Sequence, residues 1–228
     1  MKRSEIRRRT RPSGQAEPRK SERTRQLMID ASLKFLWTHP FRDLTVGKLM
    51  SLAGISRSAF YHYFQDLHEL MEALLHGLEE EVFNATAPWF TGEGDPIPLL
   101  KESLENMVQV CYQRGPILRG VSDAAPMDER LEEAWTEFVK DFDDAVTLRI
   151  EQQQAAGLIE PFDARPVAMA LNRMDAYLII HHFGRRPRGN RESALDAILR
   201  VWISTLYGEK ALANCLSRSK APTTAKKK

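Results

Sequence analysis

The sequence predicts an all-α fold. Apolar residues recur at three- and four-residue spacing through most of the 228-residue chain, which is the period of an amphipathic helix. We find no alternation of apolar and polar residues that would indicate a strand, and no internal repeat. The apolar share of 43% is that of an ordinary globular protein, so most of the chain is expected to fold.

The first two helices have clear start and stop signals. The first covers residues 21–39 and ends before Pro40, because the residue that precedes a proline avoids the helical region. The second begins after Thr45, whose hydroxyl suits an N-cap, and ends at Gly54. The apolar residues of these two helices predict a small shared core: Leu27, Ala31, Phe35, Val46, Leu49 and Ala53.

A short third helix and a long fourth helix follow. Ser56 is expected to cap the third helix, which holds Phe60 and Phe64. Asp66 is expected to cap the fourth helix, which carries a continuous apolar stripe. Residues 45–64 therefore contain two short helices joined by a tight turn, the arrangement of a helix-turn-helix.

The rest of the chain predicts further helices. After a loop at residues 91–98, helical stripes cover residues 100–111, 131–145, 163–184 and 191–207. A short separate segment is expected between Gly115 and Ala125.

Charge is distributed unevenly along the chain. Residues 1–65 hold 14 Lys+Arg against 5 Asp+Glu, a net charge of +9, whereas the whole chain carries +2. A basic end on an acidic body favours a polyanionic partner for that end, although a solvated basic arm gives the same composition. Cys111 and Cys215 match no disulfide framework or metal motif, and no apolar run is long enough for a membrane span. We therefore expect a cytoplasmic protein with no cofactor, no metal and no membrane partner.

The helix-turn-helix leaves a polar outer face on its third helix. When the apolar residues face the core, five side chains stay outside: Arg57, Ser58, Ala59, Tyr61 and His62. Such groups reach phosphates and base edges in a major groove, where arginine can donate two hydrogen bonds to guanine. A helical hairpin with a solvated face gives the same pattern, but the net charge of +9 favours DNA.

The segment SLAGISRSAFYHYFQDLHEL resembles the helix-turn-helix of the TetR family of bacterial transcriptional regulators. The Gly-apolar-Ser run, the aromatic pair before Phe64 and the capped helix that follows lie at the family spacing. The distal segments LEEAWTEFVKDF, MALNRMDAYL and LDAILRVWISTLYGE resemble the effector region of a mycobacterial repressor of that family.

The resemblance implies a homodimer of subunits with about nine helices. Its parts would be an N-terminal three-helix helix-turn-helix DNA-binding domain and a C-terminal helical ligand-binding and dimerisation bundle. The expected bounds are 1–20 for a disordered basic arm, 21–65 for the DNA-binding domain, 66–208 for the effector and dimerisation domain, and 209–228 for a flexible basic tail.

The family motif also suggests roles for the DNA-facing residues. It implies phosphate contacts for Thr45 and Tyr61, base or backbone contacts for Arg57 and Ser58, and either kind for His62. The family usually has a lysine at the start of the fourth helix, where this chain has Leu67 followed by His68. The missing phosphate contact would then come from Lys48 or from the arginine-rich arm. The expected DNA-binding set is Thr45, Lys48, Arg57, Ser58, Ala59, Tyr61 and His62.

A ligand cavity is expected in the C-terminal half. Asn172 and Asp175 lie three residues apart and so share a helix face, and the resemblance places Asn172 on a long apolar channel. Such a channel suits an elongated apolar or amphipathic molecule. Asp175 stands where an amide is expected and permits a basic or hydroxylated ligand, unless it pairs with Arg173 or Arg149 at the surface. The expected lining is Leu100, Met107, Trp135, Phe138, Phe142, Asn172, Asp175 and Trp202, although core packing explains any one of the apolar members.

These observations predict a ligand-responsive transcriptional regulator, of the repressor type common in the family. It would bind a palindromic double-stranded DNA operator as a homodimer and be released by a small-molecule effector. The helices at 163–184 and 191–207 would form the dimer interface, although a monomer core gives the same apolar stripes. An enzyme is disfavoured, because residues 120–124 lack the second glycine of a nucleophile elbow and His181 and His182 face different sides of a helix. The remaining alternative is a helical protein-interaction adaptor whose basic arm binds nucleic acid without sequence preference.

Overall fold

The computed structural model describes residues 20–219, with side chains for residues 21–215, and this part of the chain is helical without a strand. The all-α prediction is confirmed. Two short 3-10 turns, Phe41–Asp43 and Ala125–Met127, accompany the α-helices. The helices are α1 (Lys20–Leu36), α2 (Val46–Ala53), α3 (Arg57–Phe60), α4 (Leu67–Thr91), α5 (Pro96–Ala124), α6 (Glu129–Ala155), α7 (Ala164–Phe183) and α8 (Arg191–Ser219). The predicted basic arm, up to residue 19, lies outside the described residues.

The caps of α2 and α4 are those that the sequence predicts. Thr45 Oγ1 accepts a hydrogen bond of 3.2 Å from the backbone N–H of Lys48. Asp66 Oδ1 accepts two bonds, of 2.9 Å from the N–H of His68 and of 3.0 Å from that of Glu69. These bonds satisfy N–H groups that have no partner inside their helices. Residues close together in the sequence therefore define where α2 and α4 begin.

The third helix is shorter than expected and its cap differs. Ser56 precedes α3, but its hydroxyl lies 3.1 Å from the Ser58 hydroxyl and makes no bond to a backbone N–H. Beyond Phe60 the chain continues in turns to Phe64, and the two buried rings pack together at 5.7 Å. This packing holds the short helix against the domain core.

The buried face of α1 differs from the face that four-residue steps predict. Ala31 and Phe35 are buried as expected, but Leu27 is 43% exposed and Met28 is fully buried. Eight residues turn a helix about 80° beyond two full turns, whereas seven fall short of them by about 20°. Met28, seven residues before Phe35, therefore lies on the buried face, and the prediction for Leu27 was wrong.

We expect Gly54→Ala to lower the free energy of unfolding by about 1–2 kcal/mol. Gly54 ends α2 with φ 68° and ψ 31°, and a Cβ placed there would have no atom within 4 Å, so the cost is one of backbone conformation. Urea unfolding followed by circular dichroism measures it. Gly47→Ala, at an exposed position in the first turn of the same helix, is the control and should raise stability by up to about 1 kcal/mol. A loss of stability in both variants would contradict this explanation.

In the C-terminal half, α5 is one continuous helix. The separate segment expected between Gly115 and Ala125 is part of it. The described residues contain eight α-helices, and the last of them is divided by a kink. Pro116 lies inside α5 without ending it, since a proline removes one hydrogen bond and can be accommodated in a bent helix. The loop before α5 covers residues 92–95 and is shorter than the predicted loop at 91–98. Asp95 Oδ1 accepts a hydrogen bond of 3.1 Å from the N–H of Ile97 and so caps α5 at an earlier residue than predicted.

The last helix extends further than its apolar stripe. Gly208, with φ 82° and ψ 170°, produces a kink, and helix resumes to Ser219. Residues 209–219, expected to begin a flexible tail, are therefore helical, and residues 220–228 lie outside the described part. No helix within the described residues is long and apolar enough to cross a membrane.

The helices form a small N-terminal head and a larger bundle. Helices α1–α3 make the head, α4 leads directly from it, and α4–α7 pack around a common core that α8 covers. At Gly115, α5 meets the end of α7 so closely that a Cβ would lie 2.4 Å from the carbonyl oxygen of Phe183. Only glycine permits that approach.

Candidate nucleic-acid interface and internal cavity

The predicted DNA-facing residues lie on the outside of the head. Six of the seven are exposed and Ala59 is half-buried. Tyr61 is 55% exposed, with its ring edge packed on the buried Phe60 at 5.4 Å. The position of α3 therefore depends on the buried ring, and the adjacent polar side chains project outward.

The start of α2 contributes two polar groups to this side of the head. Thr45 accepts a bond from the Lys48 N–H, and its own O–H remains able to donate to a phosphate, because a hydroxyl does both at once. The Lys48 ammonium donates to the backbone oxygen of Asp43 at 2.7 Å and lies 5.9 Å from the Phe35 ring centre. The lysine is thus held close to the helix start.

The position of the usual family lysine has a different environment in this chain. Leu67 is half-buried against the core. His68 Nδ1 lies 3.2 Å from a carboxylate oxygen of Asp128, the cap of α6, and Arg130 pairs with Asp66 at 2.9 Å. The first turn of α4 is therefore tied to α6.

An internal cavity of about 60 Å³ lies between α4, α5, α6 and α7. Five of the eight predicted ligand-contacting residues line it: Met107, Phe138, Phe142, Asn172 and Asp175. Seven further residues line it that were not predicted: Leu78, Val82, Cys111, Leu118, Val139, Ala176 and Ile179. Leu78 and Val82 belong to the apolar stripe of α4, and Cys111 to that of α5, but a stripe does not show which of its members borders a void.

Three predicted cavity residues lie outside this lining. Leu100 is buried elsewhere in the core. Trp135 is half-buried and stacks on Phe138 with 5.7 Å between ring centres. Trp202 is buried behind Asp175 and contacts Trp89 edge to face at 5.7 Å.

Asp175 is a buried carboxyl group with one partner. Its Oδ2 accepts a hydrogen bond of 2.9 Å from the Trp202 indole N–H, whereas its Oδ1 is buried with no hydrogen-bond partner among the described residues. The surface-pair alternative was wrong, since Arg173 binds Asp143 and Arg149 donates to a backbone oxygen. Burial raises the pKa of Asp175 to about 8.

A second buried carboxylate orients Asn172. Both oxygens of Asp143 accept bonds of 2.9 Å from the guanidinium of Arg173, and its Oδ1 also accepts one of 2.9 Å from the Asn172 amide nitrogen. Asp143 is therefore compensated by a cation, in contrast to Asp175.

We expect protein stability to fall as pH rises between about 4 and 8, by up to about 1.4 kcal/mol per pH unit from Asp175 alone. In this interval the folded protein keeps the Asp175 proton while the unfolded chain has released it, so a higher pH favours unfolding. Urea unfolding of wild type and Asp175→Asn at several pH values measures this slope, which the variant should lose. The neighbouring thiol of Cys111 does not contribute, since burial raises its pKa to about 12.

Asp144→Asn is the matched control, because this exposed carboxylate pairs with Lys140 and Arg165 and its pKa is lowered. It should keep the wild-type slope between about pH 5 and 8. An equal slope in wild type and Asp175→Asn would show that the folded protein does not retain this proton.

Arg119 of α5 links the cavity wall to the head. Leu118 lines the cavity, and the next residue, Arg119, donates bonds of 2.6 Å to the backbone oxygen of Leu36 and 2.9 Å to that of His39. These oxygens belong to the end of α1 and the turn after it. A second contact places the Trp37 ring 5.1 Å from the guanidinium groups of both Arg186 and Arg188.

Two protein-family models match this chain. Residues 28–74 match the model described as bacterial regulatory proteins, tetR family. Residues 100–208 match the model of the C-terminal domain of transcriptional regulator EthR. The first match contains the helix-turn-helix, and the second contains the α5, α6 and α7 residues that line the cavity.

Known relatives and solved structures agree with these matches. The HTH-type transcriptional regulator EthR of Mycobacterium tuberculosis is 24% identical over 203 residues, which cover 87% of this chain and 94% of that protein. A putative TetR-family regulator from Syntrophomonas wolfei has a similar fold, with a TM-score of 0.70 at 14% identity over 81% of this chain and 95% of that one. AibR, solved with isovaleryl coenzyme A and operator DNA, has a TM-score of 0.61 at 13% identity, over 81% of this chain and 98% of that one. This chain belongs to the TetR family of bacterial regulatory proteins and is a transcriptional regulator rather than an enzyme.

Proposed function

We propose that this protein is a ligand-responsive repressor that binds a palindromic operator as a homodimer in the bacterial cytoplasm. A small molecule that enters the internal cavity would release it from DNA. The observation that carries the proposal is the direct succession of Leu118 in the cavity wall and Arg119 on the backbone of the DNA-binding head.

The exposed side of the head has the chemistry of a DNA reader. Arg57 provides a planar fork that matches the acceptor edge of guanine, while the hydroxyls of Thr45 and Tyr61 suit phosphate oxygens. In a two-fold dimer, two copies of α3 about 34 Å apart would enter successive major grooves, and the operator would be a palindrome.

Exposed apolar side chains on α7 and α8 support dimerisation. Tyr177 is 72% exposed, Val201 39% and Met169 38% in the single subunit. Large apolar side chains on neighbouring helices are typical of a self-complementary two-fold interface.

The cavity is connected to the head by two routes. Helix α4 starts at Leu67, directly after the helix-turn-helix, and reaches the cavity at Leu78, about 16 Å along the helix. Helix α5 reaches it at Leu118, next to Arg119. A ligand that widens the cavity would displace both helices, provided that it binds the displaced conformer more tightly. AibR was solved with both isovaleryl coenzyme A and operator DNA, which supports such a dual role for this fold.

Selection from a random pool of double-stranded DNA, at near-physiological salt, tests the DNA-binding proposal. We expect an enriched palindrome, bound with two subunits per site as measured by light scattering. A lack of enrichment, together with affinity that disappears as salt rises, would contradict the proposal and favour the nonspecific adaptor.

We expect Tyr177→Glu to convert the dimer to a monomer. This side chain is exposed in the subunit, so the substitution should leave the fold intact, whereas a dimer interface would bury two unpaired carboxylates. Analytical ultracentrifugation measures the change in mass. Leu148→Glu, at a residue of α6 that is 56% exposed, is the matched control and should stay dimeric. A dimer for both variants would exclude this part of α7 from the interface.

A further inference from the structure

Two oxygen atoms in the cavity wall can accept hydrogen bonds from a ligand. Asp175 Oδ1 is buried without a partner among the described residues. Asn172 donates one amide N–H to Asp143, and its amide oxygen can accept a hydrogen bond from a ligand. The two residues share a face of α7, and the rest of the lining is apolar except for the thiol of Cys111.

The Asp175 carboxyl group has no cationic partner among the described residues that line the cavity. No lysine or arginine is among the described lining residues, and the nearby guanidinium of Arg173 binds both oxygens of Asp143. A buried carboxyl group in such surroundings either keeps its proton or meets a cation. An anionic ligand would meet no positive charge among the described lining residues, so this cavity disfavours a carboxylate or phosphate head group.

We propose that the effector is a protonated amine on a short apolar body, with its ammonium group donating to Asp175 Oδ1 and to the amide oxygen of Asn172. This inference rests on the proposed role of the cavity as the effector site. An ammonium group has three donors and no acceptor, which complements the oxygens of Asp175 and Asn172. The rings of Phe138 and Phe142 provide aromatic surface for the apolar body and further attraction for the cation.

The size of the cavity connects this ligand to DNA release. A volume of about 60 Å³ holds the ammonium group and a few carbon atoms. A longer chain has to push the wall apart, and Leu118 belongs to that wall. Displacement of Leu118 would move Arg119 relative to the backbone of α1, which Arg119 holds.

Calorimetric titration of the full-length protein with n-hexylamine, n-hexanol and hexanoate, at about pH 7, tests the ligand class. The three probes share a six-carbon chain and differ in head group. We expect hexylamine to bind about 10- to 100-fold more tightly than hexanol and hexanoate to bind least, because the ammonium group displaces the Asp175 proton into the buffer and then makes charge-assisted bonds to the carboxylate. This comparison needs only the wild-type protein, so it does not depend on the folding of a variant.

Three variants test whether the amine binds inside the cavity and at Asp175. Asp175→Asn should make hexylamine and hexanol bind equally, whereas Asp144→Asn removes an exposed carboxylate of α6 and should keep the amine preference. Ala176→Leu should fill the cavity and weaken both probes. Hexylamine binding that survives Ala176→Leu would place the amine outside the cavity and overturn the proposal.

Two further results would overturn the amine class. One is equal or tighter binding of hexanol or hexanoate to the wild-type protein, and the other is an amine preference that persists in Asp175→Asn. If a probe of the wrong class binds in the cavity and releases operator DNA, the effector role stands and only the ligand class fails. Operator selection without any ligand tests the DNA-binding function separately.

Discussion

Arg57→Ala is expected to lower the affinity for the selected operator by about 100-fold or more. A bidentate arginine–guanine contact accounts for about 1–3 kcal/mol of discrimination, and a dimer loses it in both half-sites. Arg57 is exposed at the first position of α3, so the loss should leave the stability of the protein unchanged. Fluorescence anisotropy with labelled operator measures it.

Binding to unrelated DNA distinguishes base reading from charge alone. We expect Arg57→Ala to weaken nonspecific binding much less than operator binding, since a base contact contributes only at its own sequence. Lys140→Ala removes the same charge from exposed α6 and should leave operator affinity unchanged. Equal losses on operator and unrelated DNA would show that Arg57 contacts phosphates and does not read a base.

Arg119→Met is expected to lower the free energy of unfolding by about 3 kcal/mol. The substitution keeps an apolar side chain and removes the guanidinium group that donates to the Leu36 and His39 oxygens. The Leu36 carbonyl belongs to the last turn of α1 and has no partner within the helix, so it would stay buried and unsatisfied. Urea unfolding measures the loss, and hydrogen exchange should show faster exchange at residues 33–39 than in α7.

Arg114→Met provides the matched control for this effect. Arg114 is on the same helix and makes two bonds, of 3.0 and 3.2 Å, to Glu81 at the surface. A solvent-exposed pair contributes about 0–1 kcal/mol, so this variant should differ little from wild type. Equal losses in the two variants would show that the Arg119 bonds do not hold the head to the bundle more strongly than a surface pair does.

An amine effector would give the Arg119 contact a role in transmitting ligand binding to the head. If hexylamine opens the cavity, exchange at residues 33–39 should quicken in the wild-type protein when the probe is added. A probe that leaves this segment unchanged while releasing DNA would indicate that α4, and not α5, transmits the effect.

Local signals in the sequence determined the head and its borders. Thr45, Gly54 and Asp66 define helix ends through bonds and backbone angles within a few residues, so their roles could be predicted without the fold. The same holds for the outward position of Arg57 and Tyr61, because the apolar residues around them define the inner face. Where local periodicity was extended too far, as at Leu27, the prediction was wrong, since four-residue steps drift around a helix of 3.6 residues per turn.

Only the tertiary structure decided the chemistry of the cavity. The sequence places Asp175 beside Arg173, and the ion pair that this suggests does not form. Arg173 instead donates to Asp143, which lies 30 residues before it. One oxygen of Asp175 accepts a hydrogen bond from Trp202, which lies 27 residues after Asp175. The same packing of α4–α7 leaves Trp135 and Trp202 outside the cavity lining and brings Leu78 into it. Contacts between distant segments depend on how whole helices dock. No local pattern therefore shows that Asp143 is paired with a cation while Asp175 keeps one oxygen without a partner among the described residues.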